Sequence, residues 1–480
     1  MKPAEYPNEP AHLWRHFYAI SRIPRPSLQE QGMRDYITGL ADELGHRWRI
    51  DATGNLVVEV PATAAMQDRP AVIIQNHMDM VTVKTADKVH EFKKDPISLQ
   101  VEDGWLKADR TTLGADNGVG CAAALALMTD SEIERPPLQL LFTVDEERGL
   151  FGALELDPDL LRAERMLNLD TEEWHELYVG CAGGGGWGFR RSCDTQVADR
   201  TEEAWSIGLS GLAGGHSGIQ IHEQLGNAVK LLAEGLQDLT GVRLAAMDIG
   251  VAHNVIPREG SVDILCPAGT GEQLAQRLQD LRVRALSYLP ADDSGLTFEC
   301  RQTRCDAAIG VEDTAMLLDL VSAFPHGAIS YSRSLPGQVV ELSSNLAIAR
   351  LADGDLYLES SYRFFNEQQS LPLQHAVLAL ARRFDMTAED VVGYPGWQPD
   401  FNSPLLAEGR ALHRELFDID PAVKAIHAGL ECGILKSKRP SMDVLSFGPT
   451  IVGAHSPTER LAIDTVPPFW HFLTALLQRL

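Results

Sequence analysis

The chain has 480 residues, of which 44% are hydrophobic and 23% are charged. This composition is typical of a globular protein and excludes a disordered, collagen-like or coiled-coil chain. The length predicts two domains, or one domain with a large insertion. Lys and Arg total 42 against 67 Asp and Glu, so the formal charge is −25. Because a chain this acidic repels phosphate groups and carries no extended basic run, we expect neither a nucleic-acid nor a membrane partner.

The first 25 residues form an amphipathic pattern that predicts a helix ending near Pro24, and they lack the apolar stretch of a secretion signal. The seven cysteines are scattered and contain no CxxC pair, which argues against a disulfide framework and a zinc finger. The longest apolar run, Cys121–Met128, is too short to span a membrane. We therefore expect a cytoplasmic protein.

Short apolar runs alternate with helical periods between residues 36 and 151. An Ala-rich segment, Gly118–Met128, predicts a buried helix. This alternation predicts an α/β domain with a mixed, mostly parallel sheet. The predicted strands are Asn55–Val60, Ala71–Gln75, Leu138–Val144 and Met166–Leu169.

The pattern changes near the glycine run Gly183–Gly186 and returns to strand and helix signals in the last 85 residues or so. We predict a catalytic domain formed by residues 1–185 and 395–480. Residues 186–394 would form an inserted α+β domain, which we call the lid.

The predicted lid contains a repeated strand–strand–helix order, about 91 residues apart. The first copy runs from Leu244 past Asn254 to a helix near Glu272. The second runs from Val339 past Asn345 to a helix near Leu371. Two such halves are consistent with a duplicated lid.

Residue types that bind metals follow four apolar strand segments. In open α/β sheets, ligands gather outside the carboxyl ends of the strands, so we expect these residues to meet at one edge. The four segments lead to His77 and Asp79, to Glu146 and Glu147, to Asp170, and through Gly448 and Gly453 to His455.

His77 and Asp79 are two positions apart and would share one face of an extended chain. Asp79 can then orient the imidazole while the other ring nitrogen binds a metal, although by itself this pair could equally lie in a surface turn. Asp116 precedes the Ala-rich helix, where Asp usually caps a helix. The alternative is a carboxylate that bridges two cations.

Glu146 and Glu147 are adjacent acids whose side chains point in different directions. One can bind metal while the other faces the attacking water, unless both lie in a charged surface loop. His455 lies between Gly453 and Pro457, and such flanking residues favour a histidine held in one place.

A charge balance supports this set. Two divalent cations bring +4, while Asp116, Glu147 and Asp170 with one shared hydroxide bring −4. Imidazole and carboxylate ligands without thiolate suit Zn, Co or Mn.

At these residues the chain resembles the di-zinc carnosinase and aminoacylase superfamily of metallopeptidases. Its length, large insertion and the segment GGHSG at 214–218 are most similar to the bacterial aminoacyl-histidine dipeptidases, also called cytosol non-specific dipeptidases. The motifs appear in order as HMDMV (77–81), GADNGVG (114–120), DEERGLFGA (145–153), NLDTEE (168–173) and GAHSPTE (453–459).

The resemblance implies a di-zinc exopeptidase fold and a role for each matched position. His77 and Asp170 would hold one Zn(II), and Glu147 and His455 the other. The remaining matched residues are Asp116 as the bridge, Glu146 as general base and Asp79 as the residue that orients His77.

The resemblance also implies that the lid polarises the scissile carbonyl through His216. Asn254 and Arg363 are the matching candidates for contacts with the substrate, and Arg363 would pair with its carboxylate. Glu431 matches the acid expected to hold a free amino group. The implied reaction is hydrolysis of dipeptides with a free N-terminus, including X-His dipeptides such as carnosine, by a zinc-bridged hydroxide.

Several alternatives stay open at this point. An N-acyl-amino-acid hydrolase or a tripeptide aminopeptidase could use the same scaffold, and an inactive relative could keep it. A nucleotide-binding module is disfavoured because the glycine runs lack the GK[ST] ending of a phosphate loop. Smaller lids in this superfamily pair across a dimer, so we expect a homodimer, with His216 acting either within its own chain or across the pair.

Overall fold

The structure is a computed structural model that describes residues 2–333 and 339–480. The chain divides into two compact units. Unit 1 comprises residues 1–181, 397–425 and 430–480, and unit 2 comprises residues 182–396 and 426–429. The sequence predicts boundaries after residues 185 and 394, whereas the structure has them after residues 181 and 396. The sequence does not predict that the short segment 426–429 belongs with unit 2.

The helices and strands follow one another along three stretches of the chain. The first part of unit 1 contains α1 (Ala11–Ser21), α2 (Gln31–Glu43), β1 (Arg47–Ile50), β2 (Leu56–Val60), β3 (Val72–His77), β4 (Leu99–Glu102), β5 (Trp105–Ala108), α3 (Ala115–Thr129), β6 (Leu138–Thr143), α4 (Phe151–Leu154), β7 (Arg165–Asn168) and β8 (Glu176–Cys181). Unit 2 contains β9 (Gly183–Ser192), β10 (Thr195–Val197), β11 (Glu202–Ser210), β12 (Gly215–His216), α5 (Ala228–Leu236), β13 (Arg243–Ile249), β14 (Val255–Ile256), β15 (Gly260–Pro267), α6 (Gly271–Ala285), β16 (Thr297–Gln302), β17 (Ala307–Ile309), α7 (Val311–Ala323), β18 (Gly327–Tyr331), β19 (Val340–Ala352), β20 (Asp355–Phe364), α8 (Glu367–Arg383) and β21 (Thr387–Tyr394). The last part of the chain contains α9 (Pro404–Phe417), β22 (Ala422–Ile426), α10 (Glu431–Lys438), β23 (Asp443–Ser446), β24 (Ile451–Val452), β25 (Arg460–Ala462) and α11 (Val466–Arg479).

The main sheet of unit 1 has the strand order β1-β2-β6-β3-β7-β23-β8-β22. Its four central strands, β6, β3, β7 and β23, run parallel to one another. The strand β2 pairs antiparallel with β6, so the predicted mixed α/β sheet is confirmed. The carboxyl ends of the four parallel strands therefore lie along one edge of the sheet.

The central strands form where the sequence has uninterrupted apolar runs, as buried parallel strands require. All six residues of β3 and all six of β6 are buried. The Ala-rich helix α3 is apolar on every side and packs against α1 and β3, as expected for a buried helix. It begins at Ala115 rather than Gly118, so Asp116 lies in its first turn, where the backbone angles are still non-helical.

A second, four-stranded sheet in unit 1 has the order β24-β25-β5-β4. The strands β24 and β25 pair antiparallel, with Ile451 opposite Leu461. The loop between them carries His455, whose φ of 63° and that of Gly453, 72°, are both left-handed. The hairpin therefore fixes where the chain places this histidine.

Unit 2 is built on a sheet with the order β16-β11-β15-β13-β19-β20-β9-β21. Its first half, β11–α5–β13–β15–α6–β16, is a βαββαβ unit. The second half has the same order if β9 is its first strand: β9–α7–β19–β20–α8–β21. The two halves meet where β13 pairs antiparallel with β19. The lid is therefore a duplicated α+β arrangement in which one copy is inserted into the other.

The predicted strand–strand–helix repeat corresponds to β13–β15–α6 and β19–β20–α8. The repeat also predicts that Asn254 and Asn345 occupy equivalent places between the two strands of each copy, and this is wrong. Asn254 lies in the turn before β14, whereas Asn345 lies inside the 13-residue strand β19. The strand is longer than its sequence suggests because Ser343, Ser344 and Asn345 continue the ladder with β20.

Across the two described stretches of chain, no helix has both the length and the apolar content needed to cross a bilayer.

Candidate active site

The metal-ligand candidates of unit 1 meet at the carboxyl edge of the parallel strands. His77 is the last residue of β3, and Asp170 follows β7. Glu146 and Glu147 follow β6, where Asp145 turns the chain with a φ of 51°. Asp116 and His455 reach the same place from α3 and from the β24–β25 loop. The structure thus brings together all five predicted ligands and Glu146.

The imidazole of His77 is surrounded by three carboxylates, two at Nε2 and one at Nδ1. Its Nε2 is 2.9 Å from Asp116 Oδ1 and 3.3 Å from Asp170 Oδ1. Its Nδ1 is 3.4 Å from Asp79 Oδ1 on the other side of the ring. The side chain is 1% exposed, so these acids are its main electrostatic environment.

His455 makes the matching arrangement on the other side of Asp116. Its Nε2 is 3.2 Å from Asp116 Oδ2 and 3.0 Å from Glu147 Oε2. Its side chain is 57% exposed, yet the nitrogen is turned inward to the two carboxylates. The two oxygens of Asp116 therefore face two different imidazoles.

The pKa values show that both imidazole positions favour positive charge. Burial alone would lower the pKa of His77, but the carboxylates of Asp170 and Asp116 outweigh it and raise that pKa well above its usual value. Hydrogen bonds to Asp116 and Glu147 raise the pKa of His455 to about 11. Burial would raise the pKa of Asp116, but hydrogen bonds from His455 and His77 hold it below its usual range.

The carboxylates that remain are crowded and poorly solvated. Burial, followed by the charge of Asp116, raises the pKa of Glu147. Burial also raises the pKa of Asp170, and repulsion from Asp116 adds to the effect although His77 opposes it. Acids in such a cluster repel one another unless positive charge lies between them.

The geometry and the donor types fit two divalent cations. One group of possible ligand atoms is His77, Asp116 and Asp170, and a second is Asp116, Glu147 and His455. Within each group the ligand atoms lie within 4.8 Å of one another. The groups share only Asp116, as expected for a bridging carboxylate. Imidazole and carboxylate donors without a thiolate suit Zn, Co or Mn.

Glu146 belongs to neither of these two groups. It forms a third group with His77 and Glu147, so its carboxyl lies within reach of the same centre. Burial raises the pKa of Glu146 well above its usual value, His77 opposes this, and Glu147, Asp170 and Glu431 add to it. A carboxyl in this position holds a proton more readily than an exposed glutamate, as an acid–base catalyst requires.

A model of peptidase family M20/M25/M40 matches residues 73–479 of the chain. This chain belongs to the M20 peptidase family. It is therefore a peptide hydrolase, and the superfamily predicted from the motifs is confirmed.

Two relatives resemble the chain along nearly its full length. The cytosol non-specific dipeptidase of Escherichia coli K12 is 37% identical over 475 residues, which are 98% of each protein. The crystal structure of aminoacylhistidine dipeptidase from Vibrio alginolyticus superposes with a TM-score of 0.86 at 34% identity, covering 98% of this chain and 97% of that one. The aminopeptidase PepT of Bacillus cereus shares the fold at 14% identity, with a TM-score of 0.55 and 97% of each chain covered.

In this M20 peptidase, Asp79 also orders the two adjacent glutamates. Its Oδ1 accepts a hydrogen bond from the Glu146 amide at 3.1 Å, and its Oδ2 accepts one from the Glu147 amide at 3.2 Å. Ser27 Oγ donates to Asp79 Oδ2 at 2.7 Å. Asp79 is thus placed to fix both His77 and the turn that carries Glu146 and Glu147.

Sequence reasoning missed Glu459, which holds the backbone around Asp116. Its carboxylate accepts the amides of Leu113, Gly114 and Ala115 at 2.7 to 2.9 Å, and that of Asp116 at 3.3 Å. The side chain is 2% exposed. Its only signal was the final Glu of GAHSPTE, which an ordinary surface acid would equally explain.

Arg25 was also missed. Its guanidinium donates to the carbonyls of Met78 at 2.9 Å, Asp79 at 2.5 Å and Gly114 at 2.5 Å. It is 3% exposed and ties the chain after β3 to the loop before α3. A single arginine between two prolines gives no spacing signal for this role.

We expect Glu459→Gln to destabilise the fold and weaken metal binding, because an amide nitrogen would replace one of the two acceptor oxygens. Losing hydrogen bonds to a buried charge costs about 1.5–3 kcal/mol of unfolding free energy. Chemical denaturation and metal titration of the same sample measure both effects. The exposed Glu132→Gln is the matched control, and equal behaviour of the two variants would contradict the role of Glu459.

Unit 2 brings the three predicted lid residues into one region. His216 pairs with Val255 across β12 and β14, next to Asn254, whose carbonyl accepts the Ser217 amide at 2.9 Å. A Cβ built on Gly218 would lie 3.0 Å from both Arg363 Nε and His216 Cε1. Glycine at 218 therefore permits this close approach of the arginine and the histidine.

Two further residues of this region, Tyr394 and His427, were not predicted. Arg363 Nη1 donates to Tyr394 Oη at 2.7 Å, while its Nε has no hydrogen-bond partner among the described residues. His427 Nε2 lies 2.8 Å from Ser343 Oγ. Burial, with the nearby charge of Arg363, lowers the pKa of His427 to about 3, so this imidazole is neutral.

Glu431 lies in unit 1 as the first residue of α10 and is 0% exposed. Its Oε2 accepts hydrogen bonds from Gln75 Nε2 at 2.5 Å and Thr143 Oγ1 at 2.6 Å. Its Oε1 has no hydrogen-bond partner in the described part of the chain. Burial raises its pKa to about 8, although His77 and Thr143 act in the opposite direction.

Proposed function

We propose that this M20 peptidase hydrolyses dipeptides with a free N-terminus, including X-His dipeptides such as carnosine. The observation that carries the proposal is the geometry around Asp116. Its two oxygens face the Nε2 atoms of two imidazoles, and each Nε2 atom meets one further carboxylate. The names of the two full-length relatives support a dipeptide as the substrate.

Two Zn(II) ions per chain fit the donor set. His77 and Asp170 would hold one ion, Glu147 and His455 the other, and Asp116 would bridge them. Co or Mn could substitute, since all three metals accept imidazole and carboxylate ligands. When bound, such a pair of cations lowers the pKa of water and polarises a carbonyl oxygen.

Glu146 is the proposed general base. Its carboxyl would take a proton from the attacking water and return it to the amine that leaves. The raised pKa of Glu146 suits both steps, because a carboxyl with a very low pKa would not return the proton. Asp79 would hold Glu146 in place through its backbone amide and keep His77 oriented.

The lid residues would bind and polarise the substrate. His216 is proposed to stabilise the oxyanion that forms at the scissile carbonyl. Arg363 is proposed to pair with the substrate carboxylate, and its Nε, which has no hydrogen-bond partner in the described chain, supports this. Asn254 is proposed as a further contact. Glu431 is proposed to hold the ammonium group of the substrate.

A substrate panel with and without chelation tests the proposal. We expect hydrolysis of alanyl-histidine and carnosine, loss of activity after chelation, and recovery when Zn(II) is restored. Faster hydrolysis of N-acetyl amino acids would instead identify an N-acyl-amino-acid hydrolase, and faster hydrolysis of tripeptides an aminopeptidase. Activity unaffected by complete metal removal would overturn the metal-dependent mechanism.

We expect Glu431→Ala to raise KM for free dipeptides by about tenfold or more, because an ion pair with the ammonium would be lost. KM for N-acylated substrates should change little, since they carry no positive charge there. Steady-state kinetics on both substrate types measure the difference. Equal losses on both would remove Glu431 from amine recognition.

We further propose a cytoplasmic location and a homodimer. The location is supported by the name of the Escherichia coli relative, which is called a cytosol enzyme. Analytical ultracentrifugation would test the homodimer, and a single species near the chain mass of 52.6 kDa would contradict it.

A further inference from the structure

A row of buried polar side chains lies below the proposed metal centre, across four neighbouring parallel strands. All of them are 0% exposed. We call this row the buried polar chain. Its members are Thr143 on β6, Gln75 on β3, Asn168 on β7, Ser446 on β23 and Glu431 at the start of α10.

The members are connected by short hydrogen bonds. Ser446 Oγ donates to Asn168 Oδ1 at 2.5 Å. Asn168 Nδ2 donates to Gln75 Oε1 at 2.5 Å, and Gln75 Nε2 donates to Glu431 Oε2 at 2.5 Å. Each donor in this series thus points toward Glu431, which is the final acceptor.

The pairing of the strands places Gln75, Asn168 and Ser446 at one level of the sheet, whereas Thr143 lies opposite His77, two residues nearer the carboxyl edge. Asn168 is opposite Gln75 on one side and opposite Ser446 on the other. Gln75 precedes the ligand candidate His77 by two residues, and Asn168 precedes Asp170 by two. Because side chains two apart on a strand share a face, the buried polar chain lies on the same face as His77.

The two oxygens of Glu431 are consequently not equivalent. Oε2 accepts from both Gln75 and Thr143, whereas Oε1 has no hydrogen-bond partner among the described residues. An unpaired carboxylate oxygen at this depth is costly, and an ammonium group supplies the charge and the donors that would satisfy it. The donor Thr143 lies opposite the ligand candidate His77 in the sheet, so the Glu431 carboxyl lies near the proposed reaction centre.

We propose that Gln75 is a positioning residue, which together with Thr143 holds Oε2 of Glu431 and leaves Oε1 as the oxygen presented to the ammonium group of the substrate. Asn168 and Ser446 act through Gln75 by fixing the orientation of its amide. The selection of substrates with a free amino group then depends on residues of the central sheet that do not touch the substrate. This inference rests on the proposed role of Glu431.

The test compares two ligands that differ only in the amino group. Alanyl-histidine is the substrate, and propionyl-histidine, which lacks its amino group, is the competitive inhibitor. The variants are Gln75→Met and Thr143→Val, which keep side-chain volume but remove the donors. Thr143→Ser keeps the hydroxyl and is the matched control for Thr143→Val.

We expect Gln75→Met and Thr143→Val to raise KM for alanyl-histidine by about tenfold, the effect of losing one hydrogen bond to a charged group. In both variants, kcat and the inhibition constant of propionyl-histidine should stay within about twofold of the parent values. The control Thr143→Ser should keep KM for alanyl-histidine near the parent value, because it retains the hydroxyl. Ser446→Ala should raise KM for alanyl-histidine less, because Ser446 is two hydrogen bonds away from Gln75. Metal content and the thermal unfolding midpoint are measured for each variant.

If these residues had a purely structural role, the substitutions would raise KM for alanyl-histidine and the inhibition constant of propionyl-histidine by the same factor. That result would overturn the inference, and so would an unchanged KM for alanyl-histidine in Thr143→Val. Glu431→Gln in the same assay separates the two proposals. If Glu431→Gln raises KM for alanyl-histidine and Thr143→Val does not, the ammonium contact stands and the positioning role fails. If Glu431→Gln leaves the ratio of KM for alanyl-histidine to the inhibition constant of propionyl-histidine unchanged, the proposed ammonium contact itself is contradicted.

Discussion

Replacing Glu146 with alanine is expected to abolish measurable turnover while two metal ions per chain remain bound. A general base contributes a factor of about 10² to 10⁴ to the rate, and alanine cannot take up a proton. The metals should remain because Glu146 lies outside the two ligand groups that share Asp116. Single-turnover kinetics with elemental analysis of the same sample measure both quantities.

The adjacent Glu147→Ala is the matched control for this experiment. It removes a carboxylate of the same size one residue further along, but one that lies 3.0 Å from His455 Nε2. We expect it to lose metal as well as activity. If Glu146→Ala were instead the variant with less than two metals, Glu146 would be a ligand rather than the base.

Replacing Asp116 with asparagine is expected to weaken the binding of both metal ions, because this side chain alone belongs to both ligand groups. Changing residues that only support a ligand lowers metal affinity by about 10- to 100-fold, so loss of a shared ligand should exceed about 100-fold. Titration of chelator-treated protein with Zn(II) measures the two affinities.

His455→Ala is the comparison that distinguishes a bridging residue from a ligand of one metal site. It should weaken the binding of one metal ion and leave the binding of the other unchanged, since His455 contacts only Asp116 and Glu147 among the ligand candidates of the described chain. Loss of a single metal in Asp116→Asn would contradict the bridging role.

The placement of the candidate site followed from local sequence patterns. An apolar run that ends in His77 or Asp170 indicates both a buried strand and a ligand at its carboxyl end. Because these strands run parallel, their ends meet without any further information. Asp116 could not be separated from a helix cap by its own surroundings, and only the structure shows that it lies 2.9 Å from His77 Nε2 and 3.2 Å from His455 Nε2.

The residues that support the site were not predictable in the same way. Glu459 binds the amide of Leu113 from 346 positions away, and Glu431 meets Gln75 from 356 positions away. Neither residue type nor spacing indicates such a partner, since a buried acid and an exposed one look alike in sequence. Tertiary packing alone decides which acids become buried and whose donors they accept.

The architecture of unit 2 was only partly predictable for a related reason. The repeat of strand, strand and helix was visible, but the nesting of one βαββαβ copy inside the other was not. That nesting depends on β9 joining β20 and β21 after a long intervening stretch of chain, and long-range pairing leaves no local pattern. The segment 426–429 joins unit 2 for the same reason.

Anomalous X-ray diffraction at the zinc absorption edge, on crystals of the Zn(II)-loaded protein, tests the central claim most directly. We predict two peaks about 3.5–4 Å apart, with Asp116 between them, one beside His77 and Asp170 and the other beside Glu147 and His455. A single peak, or a second peak away from His455, would contradict the two-metal centre.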